Sequence, residues 1–168
     1  GHIGKLAELY AEVIQDNKIE FDVIFGPAYK GIPLAAAISA IFSLKYSVSI
    51  PFAFDRKEEK LHGEGGSIVG ELKDKRVLVI DDVLTAGTAL KQSISTINNY
   101  GGQVVGSLVA LDREEVLEGV LARDKIIHNS NVEVMSIARI SQLIDFFNLS
   151  NRKEAVSYTH LRAHETQF

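Results

Sequence analysis

An apolar strand that ends on two adjacent carboxylates is the most chemically informative stretch of this sequence. Residues 77–90 read VLVIDDVLTAGTAL, so Asp81 and Asp82 are followed at once by small and hydroxyl residues. Small residues let a ligand approach the backbone, and the unpaired N–H groups where a helix begins can converge on an anion. The hydroxyls of Thr85 and Thr88 add donors. This loop therefore predicts a phosphate site.

The two carboxylates indicate what lies beside that phosphate. Asp81 and Asp82 repel each other and would also repel a phosphate, so they need different partners. They can accept hydrogen bonds from neutral hydroxyls, such as a ribose diol, or help to hold a hydrated Mg²⁺. A phosphate cradle beside a diol acceptor describes a ribose 5-phosphate site. The alternative is an acidic turn followed by a plain N-cap at Thr88, but that leaves most of the loop unexplained.

Two further loops supply positive charge. The first is GPAYKG, residues 26–31, which carries Lys30 between two glycines. The second is DRKEEKLHGEGG, residues 55–66. Its basic residues are Arg56, Lys57, Lys60 and His62. Such groups can clamp a leaving phosphate, most effectively where water is excluded. A solvated charged loop is the alternative for the second stretch, whose glycines instead favour a mobile lid.

The elements before these loops must bring them together. Each loop follows a strand candidate, and these are residues 21–25, 49–54 and 77–80. Helical spacing is seen over residues 3–14, 33–44, 89–100 and 140–147, and further strand candidates are residues 67–69, 104–111 and 132–137. This alternation predicts an α/β fold with a largely parallel central sheet flanked by helices. In such sheets ligands lie beyond the carboxyl ends of the strands, which places all three loops at one site.

Composition excludes several classes of function. The chain has 168 residues, enough for one domain, and its net charge of −4 does not indicate general affinity for nucleic acid. It contains no cysteine, which excludes disulfides and thiolate metal sites. The longest apolar run, residues 32–44, is too short to cross a bilayer. The default expectation is a cytoplasmic protein with neither a nucleic-acid nor a membrane partner.

The stretch VLVIDDVLTAGTAL resembles the motif that binds 5-phosphoribosyl 1-diphosphate (PRPP) in type I phosphoribosyltransferases. The resemblance implies that Asp81 and Asp82 hold the ribose hydroxyls and that the following loop wraps the 5-phosphate. The PRPP-binding residues implied in this stretch are Asp81, Asp82, Val83, Leu84, Thr85, Ala86, Gly87, Thr88 and Ala89.

Three other stretches, FGPAYKGIPLA, DRKEEKLHGEGG and ALDREE, are similar to the orotate phosphoribosyltransferase family, and the similarity extends to about Leu149. It implies that Tyr29 and Lys30 bind the pyrophosphate, and that Thr85 and Arg113 contact orotate. It also implies a mobile catalytic loop that contacts PRPP and carries Arg56, Lys57, Lys60 and His62.

The activity implied is transfer of the ribosyl phosphate group from PRPP to orotate, which gives orotidine 5′-monophosphate and diphosphate in pyrimidine biosynthesis. The implied cofactor is Mg²⁺, held mainly by PRPP with Asp81 and Asp82 nearby and without a dedicated protein ligand. The implied assembly is a homodimer in which the catalytic loop closes the neighbouring subunit's site.

Two alternatives stay open on the sequence. Another type I phosphoribosyltransferase, acting in purine salvage, would share the threonine-rich loop, but the HGEGG pattern of residues 62–66 is typical of the orotate enzyme. A non-catalytic regulator that senses PRPP would need a DNA-binding surface or partner, and a net charge of −4 without a basic stripe counts against it.

The resemblance also sets the expected domain limits. The family has an amino-terminal segment that forms a hood over the base, and residues 1–20 do not match it. We therefore expect residues 1–149 to form a phosphoribosyltransferase domain that is incomplete at its amino end. Residues 150–168 are expected to be a non-native or disordered tail.

Overall fold

The structure is a computed structural model that describes residues 1–56 and 68–150. Its helices are α1 (His2–Asp16), α2 (Gly31–Tyr46), α3 (Thr88–Asn99), α4 (Ala122–Ser130) and α5 (140–150). Its strands are β1 (Val23–Gly26), β2 (Phe52–Asp55), β3 (Ile68–Val69), β4 (Arg76–Leu84), β5 (Gln103–Asp112), β6 (Val116–Leu117), β7 (Val120–Leu121) and β8 (Glu133–Arg139).

Six of these strands form one sheet in the order β3-β2-β1-β4-β5-β8. All neighbours are parallel except β3, which runs antiparallel to β2. The prediction of an α/β fold with a largely parallel central sheet is confirmed, and the strand candidate at residues 67–69 corresponds to β3 at Ile68–Val69. None of the helices in the two described ranges is long and apolar enough to cross a membrane.

Helices cover both faces of the sheet. Helices α1 and α2 contact each other on one face, where Ile24, Leu78 and Ile80 point into their core. Helix α3 lies on the other face, where Phe25 and Val79 belong to the core. A parallel strand buried on both faces needs a continuous apolar run, which is why residues 77–80 were recognisable from sequence.

Strand β4 is longer than the sequence predicted, and it changes the setting of the two acids. The prediction ended the strand at Ile80, but β4 continues to Leu84, which pairs with Asp112 of β5. Asp81 and Asp82 therefore lie within the strand rather than in the loop after it. The ladder with β5 holds this polar stretch extended, and hydropathy could not show that.

Residues 113–131 were left unassigned by the sequence patterns, and they contain the hairpin β6–β7 and helix α4. Glu118 and Gly119 join the hairpin strands, with φ of 54° and 81°. Two positive φ angles are typical of the type I′ turn of two-residue hairpins, in which Asn-Gly or Asp-Gly is more usual than Glu-Gly. Helix α4 buries only Ala122 and Ile126, so it shows little helical periodicity.

Candidate active site

The loop after β1 is held tightly against its neighbours at the carboxyl edge of the sheet. The Ala28 N–H donates a hydrogen bond of 2.6 Å to Asp55 Oδ1 at the end of β2. A Cβ at Gly26 would lie 2.3 Å from the Gly31 carbonyl oxygen, and one at Gly31 would lie 2.9 Å from that of Ile80. Glycine is thus required on both sides of this loop because two backbones approach closely. The Ala28–Tyr29 peptide bond is cis.

The loop after β4 leads directly into helix α3. Gly87, in the left-handed region with φ of 79°, is the N-cap, and Thr88 is the first helical residue. No side chain of the described residues caps this helix start. The plain N-cap at Thr88, considered above, is therefore not what the structure shows. The N–H groups of the first turn are available to an anion, and the dipole of the helix favours one there.

Asp82 connects the acidic pair to the loop after β1. Its Oδ2 lies 3.0 Å from Lys30 Nζ, while its Oδ1 accepts the Val83 N–H at 2.9 Å. Hydrogen bonding to Asp82 raises the pKa of Lys30, whose side chain remains 78% exposed. Lys30, predicted to bind the diphosphate, and Asp82, predicted to bind the ribose hydroxyls, are thus in contact.

Asp81 lies deeper than its neighbour. Its Oδ1 accepts the Asp82 N–H at 2.9 Å, and its backbone carbonyl accepts a 2.6 Å hydrogen bond from Tyr10 of α1. Burial, with a smaller contribution from the negative charge of Asp82, raises the pKa of Asp81. Tyr10 is fully buried, and burial and the charge of Asp81 raise its pKa.

Arg113 follows β5 at the same edge of the sheet. Its N–H donates to the Leu84 carbonyl at 3.1 Å, which places Arg113 beside the start of the Thr85 loop. The side chain is 56% exposed, and its Nη1 lies 3.5 Å from Glu115 Oε1. The preceding Asp112 is buried and accepts the Glu114 N–H at 2.8 Å, which fixes this turn. The guanidinium therefore lies exposed at this edge, in an ion pair with Glu115.

Comparison with known proteins agrees with this geometry. The phosphoribosyl transferase domain family matches residues 2–139. The chain is 47% identical over 154 residues to orotate phosphoribosyltransferase 2 of Saccharomyces cerevisiae, covering 86% of this chain and 67% of that protein. It is 45% identical over 145 residues to the orotate phosphoribosyltransferase of Pseudomonas putida, covering 86% and 68%. The chain belongs to the orotate phosphoribosyltransferase family.

A solved orotate phosphoribosyltransferase has the same fold. The crystal structure of the Francisella tularensis protein superimposes with a TM-score of 0.77 at 36% identity, covering 87% of this chain and 70% of that one. The chain spans about two thirds of the length of the curated family members it matches. The resemblance of the strand, acid and threonine motif to this family is confirmed.

The structure brings most of the predicted site residues to one edge. The predicted residues that lie at the carboxyl ends of β1, β2, β4 and β5 are Tyr29, Lys30, Arg56, Asp81, Asp82, Val83, Leu84, Thr85, Ala86, Gly87, Thr88, Ala89 and Arg113. The remaining predicted residues, Lys57, Lys60 and His62, lie outside the described residues, as do residues 151–168.

Sequence reasoning missed two residues that support this edge. Tyr10 was interpreted only as one apolar position of α1, because a buried tyrosine has the same spacing as any core residue. The sequence pattern places Asp55 in the charged loop, yet it accepts the Ala28 N–H. The available signal was that Asp55 directly follows a predicted strand, as the other two loops do.

Because burial raises the pKa of Asp81, we expect Asp81→Asn to stabilise the chain at neutral pH. The folded state disfavours the charged carboxylate. The stability that protonated Asp81 contributes is therefore fully present only below its unfolded-state pKa of about 4, and it is lost as pH rises through its folded-state pKa. Thermal unfolding should show a higher midpoint for the variant at pH 7, and the difference should narrow towards pH 4. Glu8→Gln, which removes an exposed charge from α1, is the control. An equal midpoint for wild type and Asp81→Asn at pH 7 would contradict the prediction.

Proposed function

We propose that this chain carries the PRPP site of an orotate phosphoribosyltransferase and transfers the ribosyl phosphate group from PRPP to orotate. We assign the domain to residues 1–149, which is supported by the family match over residues 2–139. The observation that carries the proposal is the convergence at one sheet edge of an acidic pair, an uncapped helix start and a lysine loop. Each of these features suits a different part of PRPP.

The acidic pair and the loop would position the sugar. The carboxylates of Asp81 and Asp82 would accept hydrogen bonds from the two ribose hydroxyls. The 5-phosphate would bind the N–H groups of the first turn of α3, with the hydroxyls of Thr85 and Thr88 as further donors. Gly87 allows this approach because its backbone is left-handed and it has no side chain.

The cations would bind the leaving group. Lys30 lies 3.0 Å from Asp82, so it can bind the diphosphate of a PRPP molecule whose ribose is held by the acids. Arg56, at the end of β2, would add a second charge, together with Lys57, Lys60 and His62. Asp81 and Asp82 also offer the oxygen ligands that Mg²⁺ prefers, so they suit a hydrated ion held mainly by PRPP. When bound, Mg²⁺ would neutralise charge on the diphosphate.

In the reaction, a ring nitrogen of orotate gives up its proton to the diphosphate or to solvent and forms a bond to C1 of the ribose. The C1–O bond to diphosphate breaks, and its electron pair leaves with the diphosphate. Positive charge develops on the sugar in the transition state, near the carboxylates of Asp81 and Asp82, while the basic residues stabilise the leaving group. Arg113, beside Thr85 at this edge, would grip the orotate carboxylate with two hydrogen bonds. We further propose that the active form is a cytoplasmic homodimer, with the loop of Lys60 closing the neighbouring site.

The test is loss of orotate ultraviolet absorbance on addition of PRPP and Mg²⁺, with product followed by chromatography. Parallel reactions contain uracil, hypoxanthine or adenine in place of orotate. Turnover of orotate alone is expected. Turnover of a purine instead would overturn the choice of base, and PRPP binding without turnover of any base would restrict the proposal to binding.

A further inference from the structure

A pocket lies directly beneath the loop that precedes α3, between the sheet and the start of that helix. Its cavity volume is about 30 Å³, which is enough for a water molecule. Val79 of β4, Ser107 of β5 and Leu90 of α3 line its interior, while Asp81 and Thr85 also contribute to the wall. We call this space the loop pocket.

Ser107 is the unusual member of the loop pocket. It is 1% exposed, and its hydroxyl has no hydrogen-bond partner among the described residues. Buried hydroxyl groups are normally paired, and an unpaired one costs about 1–3 kcal/mol of stability. A serine here therefore needs a reason other than packing.

The strand register places this hydroxyl near Asp81. Ser107 is level with Val79 on the neighbouring strand, and Val109 is level with Asp81. Side chains two residues apart on a strand share a face, so Ser107 and Asp81 both project from the face that α3 covers. The two side chains are offset by one strand spacing of about 4.8 Å and by two residues, about 6.6 Å, which places their Cβ atoms roughly 8 Å apart. That separation suits a bridge through one water rather than a direct hydrogen bond.

We propose that Ser107 is a positioning residue of the PRPP site, whose hydroxyl binds a buried water that in turn donates a hydrogen bond to the Asp81 carboxylate. Buried waters typically have two to four polar partners, and Ser107, Asp81 and Thr85 can provide them. Asp81 Oδ1 accepts the Asp82 N–H, and the water would donate to the same carboxylate group. The water would hold the carboxylate from inside the pocket, so that it meets the ribose hydroxyls in one orientation. This inference rests on the proposed function, because it assigns Asp81 to the ribose.

A merely structural role for Ser107 predicts a different outcome. If its hydroxyl were only an unpaired group, Ser107→Ala would leave PRPP affinity unchanged and would maintain or raise the unfolding midpoint. If the hydroxyl positions Asp81, the same variant should bind PRPP more weakly without unfolding. The dissociation constant for PRPP is therefore the readout that separates the two.

The experiment measures PRPP binding by calorimetry in the presence of Mg²⁺, together with thermal midpoints, for the full chain. Ser107→Ala is expected to weaken PRPP binding roughly tenfold, as for other residues that orient a ligating group through a hydrogen bond. Ser107→Thr keeps the hydroxyl and should bind nearly as well as wild type. The matched control is Ser93→Ala, since Ser93 is also buried but its hydroxyl donates to the Ala89 carbonyl at 3.1 Å.

Two results would overturn the inference. One is a dissociation constant for Ser107→Ala within twofold of wild type, and the other is an equal loss of affinity in Ser93→Ala. A wild-type chain that does not bind PRPP would instead overturn the proposed function, and the role of Ser107 would fall with it. Comparison of wild type with the variants thus distinguishes the two failures.

Discussion

Asp82→Asn is expected to lower PRPP-dependent turnover on the order of 10²–10³-fold, by analogy with the removal of one preorganised transition-state contact. Asp82 is central to the site because its two oxygens contact Val83 on its own strand and Lys30 on the next loop. Asparagine has the same shape and can still accept the Val83 N–H. It cannot provide negative charge beside the developing positive charge on the sugar, nor hold Lys30 as an ion pair.

The measurement is the steady-state rate with saturating orotate and varied PRPP, with thermal unfolding in parallel. The matched control is Glu12→Gln, because Glu12 forms an ion pair of the same 3.0 Å length with Lys45 on the surface of α1 and α2. In the ion pair of Asp82, the Lys30 end is exposed. The Glu12–Lys45 pair is exposed at both ends, and such pairs contribute little to stability, so both variants should unfold near the wild-type midpoint. If Asp82→Asn retained the turnover of Glu12→Gln, the assignment of Asp82 to the reacting sugar would be wrong.

Gly87→Ala is expected to lower the free energy of unfolding by about 2–4 kcal/mol. An L-residue at φ of 79° pays about 1–2 kcal/mol for the left-handed backbone. A Cβ at Gly87 would also lie 2.3 Å from Cδ1 of Ile126, which is buried in α4. Relieving that contact must move either Ile126 or the start of α3, which adds a cost of overpacking. Because Gly87 ends the loop and caps the first turn of α3, PRPP binding should weaken as well.

Gly119→Ala separates the two causes. Gly119 has nearly the same backbone angle, φ of 81°, but nothing lies within 4 Å of its Cβ position, and it belongs to the turn of the hairpin β6–β7. Denaturant unfolding should show only the backbone cost of about 1–2 kcal/mol for this variant, with PRPP affinity unchanged. Equal stability losses at both positions would show that the contact with Ile126 contributes nothing.

The parallel sheet and its loops could be predicted from sequence because their signals are local. An apolar run buried on both faces identifies β4, and the change to Asp81, Asp82 and a threonine-rich loop predicts a site at its end. The start of α3 was predicted one residue too late, at residue 89, because Gly87 rather than Thr88 is the N-cap. The family resemblance rests on the same local stretches, and the comparisons confirm it.

What could not be predicted depends on contacts between residues distant in sequence. The hydrogen bond from Tyr10 to Asp81 joins positions 71 residues apart, and the pairing of Lys30 with Asp82 joins the loop after β1 to strand β4. No periodicity records such contacts. Helix α4 was not predicted because its only buried residues are Ala122 and Ile126, which lie one turn apart. The roles of Lys57, Lys60 and His62 stay predictions, because these residues lie outside the described ranges.

The measurement that tests the central claim most directly is a titration of the isotopically labelled chain with PRPP and Mg²⁺, followed by amide chemical shifts. The proposal predicts large shifts at the carboxyl edge of the sheet, in residues 26–31 and 81–89 and at Arg113. The groove at the opposite edge, lined by Asp22, Ser49 and Arg76, should be unaffected. Shifts concentrated in that groove, or no shifts in residues 81–89 at saturating PRPP, would contradict the account.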